Sequence, residues 1–331
     1  MEIRTVSRPV CPLCRSQGNL LHIDLEDYLF KAPGKWNMRI CANLGCGLGW
    51  LDPVAIDADL QYLYENYYTH GENTLHLGSK AKLRSFLFNA YEYAKFIPSS
   101  ILGLRQEKQR FPYLFLEDLS PGHVLDVGCG TGDFLFRMRA LGWAVTGVDF
   151  DGKAIANAKA KHGFNLLHTD LAGAHFPDNS FDAITMHHVI EHVPEPVALL
   201  SEAKRILKPG GRLVVTTPNV QSLGHSILKD CWRGLEPPRH LQIFSLRALS
   251  ECARQAGFDK VEAKSSAANA DAVIGASIGI FEAKKQMTCS RATFEINILR
   301  ALRCSLLQYR EALLIRRNIN CGEEALLICH K

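Results

Sequence analysis

The segment VLDVGCGTG, residues 124–132, constrains the fold of this chain more than any other. An apolar, strand-forming run enters a turn with glycine at every second position, and the following DFLFRMRALG is predicted to be a helix ending at Gly142. The same order recurs: AVTGVDF, FNLLHTD, FDAITMHH and GRLVVTTPN are predicted strands, and DGKAIANAKAKHG and PEPVALLSEAKRILKPGG are predicted helices. This alternation predicts an α/β fold built on a doubly wound parallel sheet.

The composition is ordinary for a soluble globular protein, with 47% hydrophobic and 22% charged residues among 331. A net charge of +4 does not by itself argue for a nucleic-acid partner. No run approaches the roughly 18 apolar residues that span a bilayer. Because MEIRTVSRPVCPLC contains no apolar signal region, we expect a cytoplasmic protein. Its 11 cysteines then indicate thiols and metal ligands rather than disulfides.

The glycine turn predicts a cofactor site. Its spacing is G-x-G-x-G, from Gly128 through Cys129 and Gly130 to Gly132, and acidic residues flank it at Asp126 and Asp133. These carboxylates would repel a pyrophosphate but attract an ammonium or sulfonium group.

The ends of the next two strands complete the predicted cofactor site. Asp149 is placed to accept both hydroxyls of a ribose, and Phe150 to lie against an adenine face. Asp170, or the amide of the neighbouring Leu171, would bind the adenine edge.

VLDVGCGTG, GVDFD, TDL, FDAITMHHVIEHV and ILKPGGRLVVTTPN together resemble the ordered motifs of class I S-adenosylmethionine-dependent methyltransferases. The resemblance covers roughly residues 119–265. It implies a Rossmann-like seven-stranded sheet with an antiparallel last strand, in which DKVEAKSS and EALLICHK form the final pair.

The chain divides into five predicted parts. Residues 119–269 form the methyltransferase core and 319–331 its last strand. Residues 56–118 are a helical linker or lid, and 270–318 are an insertion, first irregular and then helical. The insertion could pair two subunits in a homodimer, cover the pocket or rest on a membrane surface. An ordinary packed helix with a solvated basic face is the simpler interpretation.

Residues 1–55 form a small separate module with four cysteines: Cys11, Cys14, Cys41 and Cys46. CPLC can present two thiolates to one ion, and CANLGC can supply two more, which suits a structural, tetrahedral zinc ion. The alternative is a set of buried free thiols. The order of CPLC, CGLGWLDP and YENYY resembles the zinc-ribbon-like N-terminal segment of bacterial methyltransferases encoded with sugar and cell-envelope biosynthesis.

The segment MHHVIEHV lies where FDAITMHH ends, at the edge of the sheet where such folds bind ligands. His187 is expected to shape the cofactor's methionine pocket through its backbone. On a helix His188, Glu191 and His192 would share one face. A long loop, TPNVQSLGHSILKDCWRGLEPPRHLQIFS, brings His240 toward the same place.

Three roles are open for these side chains. His192 or His188 could be a general base oriented by Glu191. Alternatively His188, Glu191, His192 and His240 could bind a second divalent ion, which with three imidazoles suits Zn²⁺, Fe²⁺ or Mn²⁺ better than Mg²⁺. That set is similar to the E-x-x-E-H … H ligands of metal-dependent small-RNA 2′-O-methyltransferases and some quinone-pathway O-methyltransferases. In the third, His192 only caps a helix and His240 anchors the loop.

We therefore expect O-methylation of a small hydroxylated acceptor, first of all a sugar or sugar nucleotide, with Arg239 placed to bind its phosphate. A phenol of the quinone type is one alternative acceptor. Ribosomal RNA is another, but nucleic acid is disfavoured because the sequence has no lysine or arginine run. A partner module that binds the cofactor without catalysis is the non-enzymatic alternative.

Overall fold

The computed structural model describes residues 3–64, 95, 97–286 and 298–331. Most of the predicted linker and residues 287–297 of the insertion lie outside these ranges. The strands are β1 (Thr5–Val6), β2 (Gly18–Leu25), β3 (Trp36–Cys41), β4 (Gly49–Leu51), β5 (Val54–Ala55), β6 (His123–Val127), β7 (Ala144–Asp149), β8 (Leu167–His168), β9 (Phe181–His187), β10 (Leu207–Pro218), β11 (Gln242–Ile243), β12 (Lys260–Ser266) and β13 (Glu324–His330). The helices are α1 (Leu104–Arg110), α2 (Asp133–Ala140), α3 (Gly152–His162), α4 (Pro196–Ile206), α5 (Leu223–Leu228), α6 (Leu246–Gln255), α7 (Ala270–Gln286) and α8 (Ile298–Ile315).

The central sheet has seven strands in the order β12-β13-β10-β9-β6-β7-β8. Strands β6 to β10 pair in parallel, whereas β13 runs antiparallel to both of its neighbours, β10 and β12. The predicted seven-stranded fold with an antiparallel last strand is therefore confirmed. Because the parallel strands all end at one edge, the turns that follow β6, β7 and β9 meet there.

Helices cover both faces of this sheet. Along β10, Leu213 and Val215 point into one buried cluster and Val214 into the other, as the two-residue period of a strand requires. The first cluster receives α4 and α6, and the second receives α2. Asp151 caps α3 by accepting from the amides of Lys153 and Ala154.

The insertion differs from the prediction at its start, because α7 is helical from Ala270 rather than irregular. Its glycines and serines suggest a loop, but small residues also let helices approach closely. A Cβ atom built on Gly275 would lie 3.8 Å from the sulfur of Cys304 on α8. Among the helices of the described residues, none is both long and apolar enough to cross a bilayer.

The N-terminal module shares a sheet with the methyltransferase core. Its four-stranded sheet has the order β11-β4-β3-β2, and β11 comes from the long loop after β10. The hydroxyl of Ser245, next to β11, donates to the carbonyl oxygen of Cys46 at 2.9 Å. Cys11 and Trp50 of the module belong to the same buried cluster as α4 and α6. The domain boundaries stay predictions, but the described module is packed into the core rather than separate from it.

A buried ion-pair network joins the same two parts. Arg239 is 1% exposed, and both of its terminal nitrogens donate to Asp27 at 2.9 Å. Its Nε donates to Glu236 at 3.0 Å, and Nη1 also reaches the carbonyl oxygen of Leu63 at 3.1 Å. The guanidinium therefore neutralises two buried carboxylates inside the protein. Because its nitrogens are buried and bonded to these partners, it is not available to an acceptor phosphate.

Replacing Arg239 by Met is expected to lower the free energy of unfolding by about 3 kcal/mol, because Asp27 and Glu236 would stay buried without their cation. Urea-induced unfolding measures this change. The matched control is Arg254→Met, which removes an exposed arginine whose ion pair with Glu251 is 3.9 Å long and should change stability by less than about 0.5 kcal/mol. Equal stability of the two variants would contradict the importance of the buried network.

Candidate active site

The glycine turn after β6 is held by the carboxylate at the end of β7. Oδ2 of Asp149 accepts from the amide of Gly130 at 2.8 Å, and Oδ1 accepts from the amide of Asp151 at 2.8 Å. Gly128 and Gly130 have backbone φ angles of 71° and 51°, which residues other than glycine rarely adopt. A Cβ atom on Gly128 would lie 2.5 Å from Val189, so the turn also packs tightly against the segment after β9.

A cavity of about 590 Å³ lies against this turn. Five of the predicted cofactor-binding residues line it: Asp126, Gly128, Cys129, Gly130 and His187. Other lining residues were not predicted from the sequence. They include Arg137 of α2, Asn157 of α3, Phe111 and Leu114 before β6, and Asn269 after β12. No motif marks these positions, because they come from four separate segments of the chain.

The other predicted cofactor-binding residues do not line this cavity. Gly132 has a φ of 75° and starts α2, and Asp149 is buried beneath the turn. Phe150 is 59% exposed and Leu171 only 2% exposed. Asp170 is exposed, and its side chain accepts from the amide of Gly173 at 2.6 Å. Their roles in cofactor binding stay predictions.

Asp126 is a buried carboxyl group at the floor of the cavity. Its side chain accepts from the hydroxyl of Thr185 at 2.7 Å. Burial raises the pKa of Asp126 to about 7, despite that hydrogen bond. A ligand that brings a positive charge into the cavity would therefore favour the ionised form of this carboxyl group.

His188 is a cation held between two carboxylates. Its Nδ1 donates to Glu191 at 3.0 Å, and its Nε2 donates to Glu324 at 3.0 Å. Burial alone would lower the pKa of His188, but the hydrogen bonds to the two carboxylates raise it well above the ordinary value. Neither ring nitrogen has a lone pair left, so this geometry suits neither a general base nor a metal ligand.

The carboxylates around His188 extend the network in two directions. The second oxygen of Glu324 accepts from Asn269, which lines the cavity beside the glycine turn, at 3.1 Å. The second oxygen of Glu191 accepts from Thr217 at 3.0 Å. Hydrogen bonds therefore run from this cavity through Glu324 and His188 to Glu191.

The structure brings together three of the four predicted acceptor-site residues. Ligand atoms of Glu191, His192 and His240 all lie within 4.8 Å of one another. The segment from Ile190 to His192 is a short 3₁₀ turn, and His188 stands outside it with a φ of 54°. Because of this break, His188 faces the oxygen of Glu191 while His192 turns toward His240, with ring centroids 4.7 Å apart.

Backbone carbonyls fix the orientation of both imidazoles. Nδ1 of His192 donates to the carbonyl oxygen of Arg239 at 3.1 Å, and Nδ1 of His240 donates to that of Gly234 at 2.7 Å. Burial lowers the pKa of His240 to about 4, so its Nε2 carries a lone pair at neutral pH. Burial would raise the pKa of Glu191, but His188 and the neighbouring histidines lower it to about 2. A carboxylate with two imidazoles is a typical donor set for a divalent transition metal.

The four predicted cysteines of the module also come together. Sulfur atoms of Cys11 and Cys46 are 3.8 Å apart, those of Cys14 and Cys41 are 3.3 Å apart, and all four lie within 4.8 Å of one another. Four thiolates about 2.3 Å from a tetrahedral zinc ion would be about 3.8 Å apart. CANLGC has two more residues between its cysteines than the C-x-x-C spacing of CPLC. This longer spacing does not prevent the four sulfurs from surrounding one point.

Comparisons with known proteins identify the central part of the chain. Residues 99–263 match a family model described as a methyltransferase domain. A ubiquinone biosynthesis O-methyltransferase from Xanthomonas oryzae is 38% identical over 109 residues, which is 31% of this chain and 45% of that protein. A demethylmenaquinone methyltransferase from Staphylococcus saprophyticus is 35% identical over 127 residues, 34% of this chain and 51% of that protein.

The chain spans about half the length of the curated relatives it matches. A solved S-adenosylmethionine-dependent methyltransferase from Archaeoglobus fulgidus aligns with 70% of this chain and 93% of its own, with 21% identity and a TM-score of 0.45. Together, the family match and the seven-stranded sheet show that residues 99–263 belong to the S-adenosylmethionine-dependent methyltransferases of class I.

Proposed function

We propose that the protein transfers the methyl group of S-adenosylmethionine to a hydroxyl oxygen of a small molecule, with a phenol of the quinone type as the first acceptor class. The observation that carries this proposal is the position of the Glu191–His192–His240 cluster, which begins four residues after the cavity-lining His187. The methyl donor and a group able to activate a hydroxyl would then be side by side.

The cofactor would be held by the turn and by two carboxylates. Asp149 would accept the ribose hydroxyls, and the amides of the turn would approach the ligand closely where glycine leaves room. Asp126 would face the ammonium group of the methionine part, which favours its ionised form. The bound cofactor supplies an activated methyl group on a sulfonium, so the protein's task is mainly to align the acceptor and exclude water.

Activation of the acceptor favours a divalent ion over a histidine base. His188 has no nitrogen available, and His240, with a pKa of about 4, is a weak base, so a base mechanism would depend on His192 alone. A weakly basic imidazole is still a good metal ligand, because it remains neutral at physiological pH. A divalent ion held by Glu191, His192 and His240 would lower the pKa of an acceptor hydroxyl.

The acceptor class rests on chemistry and on the relatives. A phenol is far more acidic than a sugar hydroxyl, so it requires less activation at this site. The names of the relatives in Xanthomonas and Staphylococcus refer to ubiquinone and menaquinone. The saccharide acceptor expected from the N-terminal segment finds no support in these relatives, and the burial of Arg239 removes its predicted phosphate ligand.

We also propose that Cys11, Cys14, Cys41 and Cys46 hold a structural zinc ion. Their four sulfurs surround one point, which leaves no open coordination position for catalysis. The ion would stabilise the end of the module that packs against Ser245.

Replacing Asp149 by Asn is expected to weaken binding of S-adenosylhomocysteine roughly 10- to 100-fold, because charged hydrogen bonds to the ribose would be lost. Asn keeps the size of the side chain and can still accept from Gly130. Isothermal titration calorimetry measures the affinity. Asp178→Asn, an exposed carboxylate paired with Arg205, is the control and should bind normally. Unchanged affinity in the Asp149 variant would refute the proposed cofactor site.

Elemental analysis of the purified protein is expected to find zinc bound at the cysteine module. Cys14→Ser should lose that zinc and lower the melting temperature, because the turn that holds Cys11 and Cys14 would lose its link to Cys41 at the end of β3. Cys321→Ser replaces a half-buried cysteine near β13 and should retain zinc. A zinc content that does not differ between these two variants would contradict the proposed ligand set.

Transfer of a labelled methyl group to a catechol is the test of the proposed activity. Chelation of divalent ions, or His240→Ala, is expected to lower the rate about 100-fold without weakening S-adenosylhomocysteine binding. His330→Ala, at the far end of β13, should have no effect. Activity that resists chelation would favour a histidine base instead. Transfer to a hexose or to ribosomal RNA, but not to the catechol, would refute the proposed acceptor class.

A further inference from the structure

The outer face of α8 carries leucines and arginines together. Leu302 and Arg303 are adjacent, and Leu306, Arg310 and Leu313 follow at intervals of three to four residues, so all five lie along one side of the helix. We call them the leucine–arginine face. Leu302, Leu306 and Leu313 are 42%, 63% and 52% exposed, and both arginines are exposed. Large apolar side chains with this exposure indicate a contact surface rather than an ordinary solvated helix.

The opposite side of α8 fixes this orientation. Cys304, Glu311 and Ala312 are buried there, and Nε2 of Gln308 donates to the carbonyl oxygens of Ala267 and Ala268 at 2.9 Å. The helix therefore cannot rotate to bury its leucines without breaking these contacts. Among the described residues, the outward direction of the leucine–arginine face is a fixed property of the fold.

The charge on this face has one sign. Glu311 is the only acidic residue of α8, and it is fully buried. Arg303 and Arg310 form no ion pair within the described residues. Ile101, 72% exposed, lies next to the end of α8, because its carbonyl oxygen accepts from Arg316 at 3.4 Å. Among the described residues, this apolar surface is flanked by arginines, and it is complementary to an anionic surface that is itself partly apolar.

A cavity of about 350 Å³ with basic lining residues lies on the inner side of α8, away from the leucine–arginine face. Lys95, Arg105 and Lys108 line it together with Gln308. Asp271 pairs with both lysines, at 2.5 and 3.6 Å, so their charge is partly balanced there. The positive charge of the leucine–arginine face therefore comes from its own arginines.

We propose that the leucine–arginine face binds the surface of an anionic lipid membrane, with α8 lying in the interface. The leucines would enter the boundary between headgroups and acyl chains, and the arginines would contact lipid phosphates. A symmetric dimer through this face would instead place the arginines of both copies against one another, with no carboxylate between them. The proposal is independent of the acceptor and of the metal.

Co-sedimentation of the full-length protein with vesicles tests this proposal. The protein is expected to sediment with vesicles that mix phosphatidylglycerol into phosphatidylcholine, and much less with pure phosphatidylcholine. High salt should weaken the binding, because it screens the arginine–phosphate attraction. Absence of sedimentation with the anionic vesicles would overturn the proposal.

Two pairs of substitutions separate the apolar and the ionic contributions. Leu306→Gln with Leu313→Gln should lower the vesicle partition coefficient roughly ten-fold or more, on the basis of lost apolar contact. Arg303→Gln with Arg310→Gln should lower it by about ten-fold on anionic vesicles only. The control pair, Leu20→Gln with Ile23→Gln, removes similarly exposed apolar residues from β2, where they are 57% and 63% exposed. All variants should bind S-adenosylhomocysteine normally, which shows that they are folded.

Two results would assign the face differently. Equal partitioning of the control pair and the α8 pairs would show that vesicle binding does not involve α8. Sedimentation velocity could instead find a dimer in the wild type and a monomer in the variant with Leu306→Gln and Leu313→Gln. That result would show that the leucine–arginine face binds a second copy of the chain. Either result would overturn the membrane proposal while leaving the proposed methyl transfer untouched.

Discussion

The candidate site depends on the pair of charged hydrogen bonds that His188 donates to Glu191 and Glu324. One imidazolium joins Glu191, after β9, to Glu324, the first residue of β13. The side chain of His188 is 35% exposed, but both carboxylates are buried, so each of them depends on this cation for neutralisation. This bridge therefore fixes the turn after β9 relative to the last strand. In doing so it keeps Glu191 ionised beside His192 and His240, and it connects that cluster through Asn269 to the cavity beside the glycine turn.

The sequence predicted the parts of the site that come from contiguous segments. The strand, glycine turn and helix around Gly130 follow from local pattern, and Asp149 follows because it ends the next strand of a parallel sheet. Glu324 could not be found in this way. It is 136 residues from His188, and only the antiparallel placement of β13 beside β10 brings the two together. The role of His188 also depends on its φ of 54°, a local break that helical spacing does not reveal.

The fold was predictable for the same reason, and its departures have physical causes. The alternation of strands and helices gave the correct sheet, because each parallel strand requires a crossover of its own. The sharing of β11 with the N-terminal sheet is a tertiary pairing of two residues, Gln242 and Ile243, with Trp50 and Gly49. So short a strand leaves no period to detect. Arg239 illustrates the limit for single residues: its type suggests a phosphate ligand, but its partner Asp27 lies 212 residues earlier in the chain.

The pairing of β11 with β4 has a consequence for how this protein can be divided. A chain shortened to begin after residue 55 would leave β11 without its partner strand β4, and would expose apolar surface that Trp50 and Leu48 now cover. It would also strip Arg239 of its partner Asp27. The methyltransferase core and the N-terminal cysteine module therefore form one structural unit. Neither can be replaced by the equivalent part of another protein unless the contacts between them are redesigned as well.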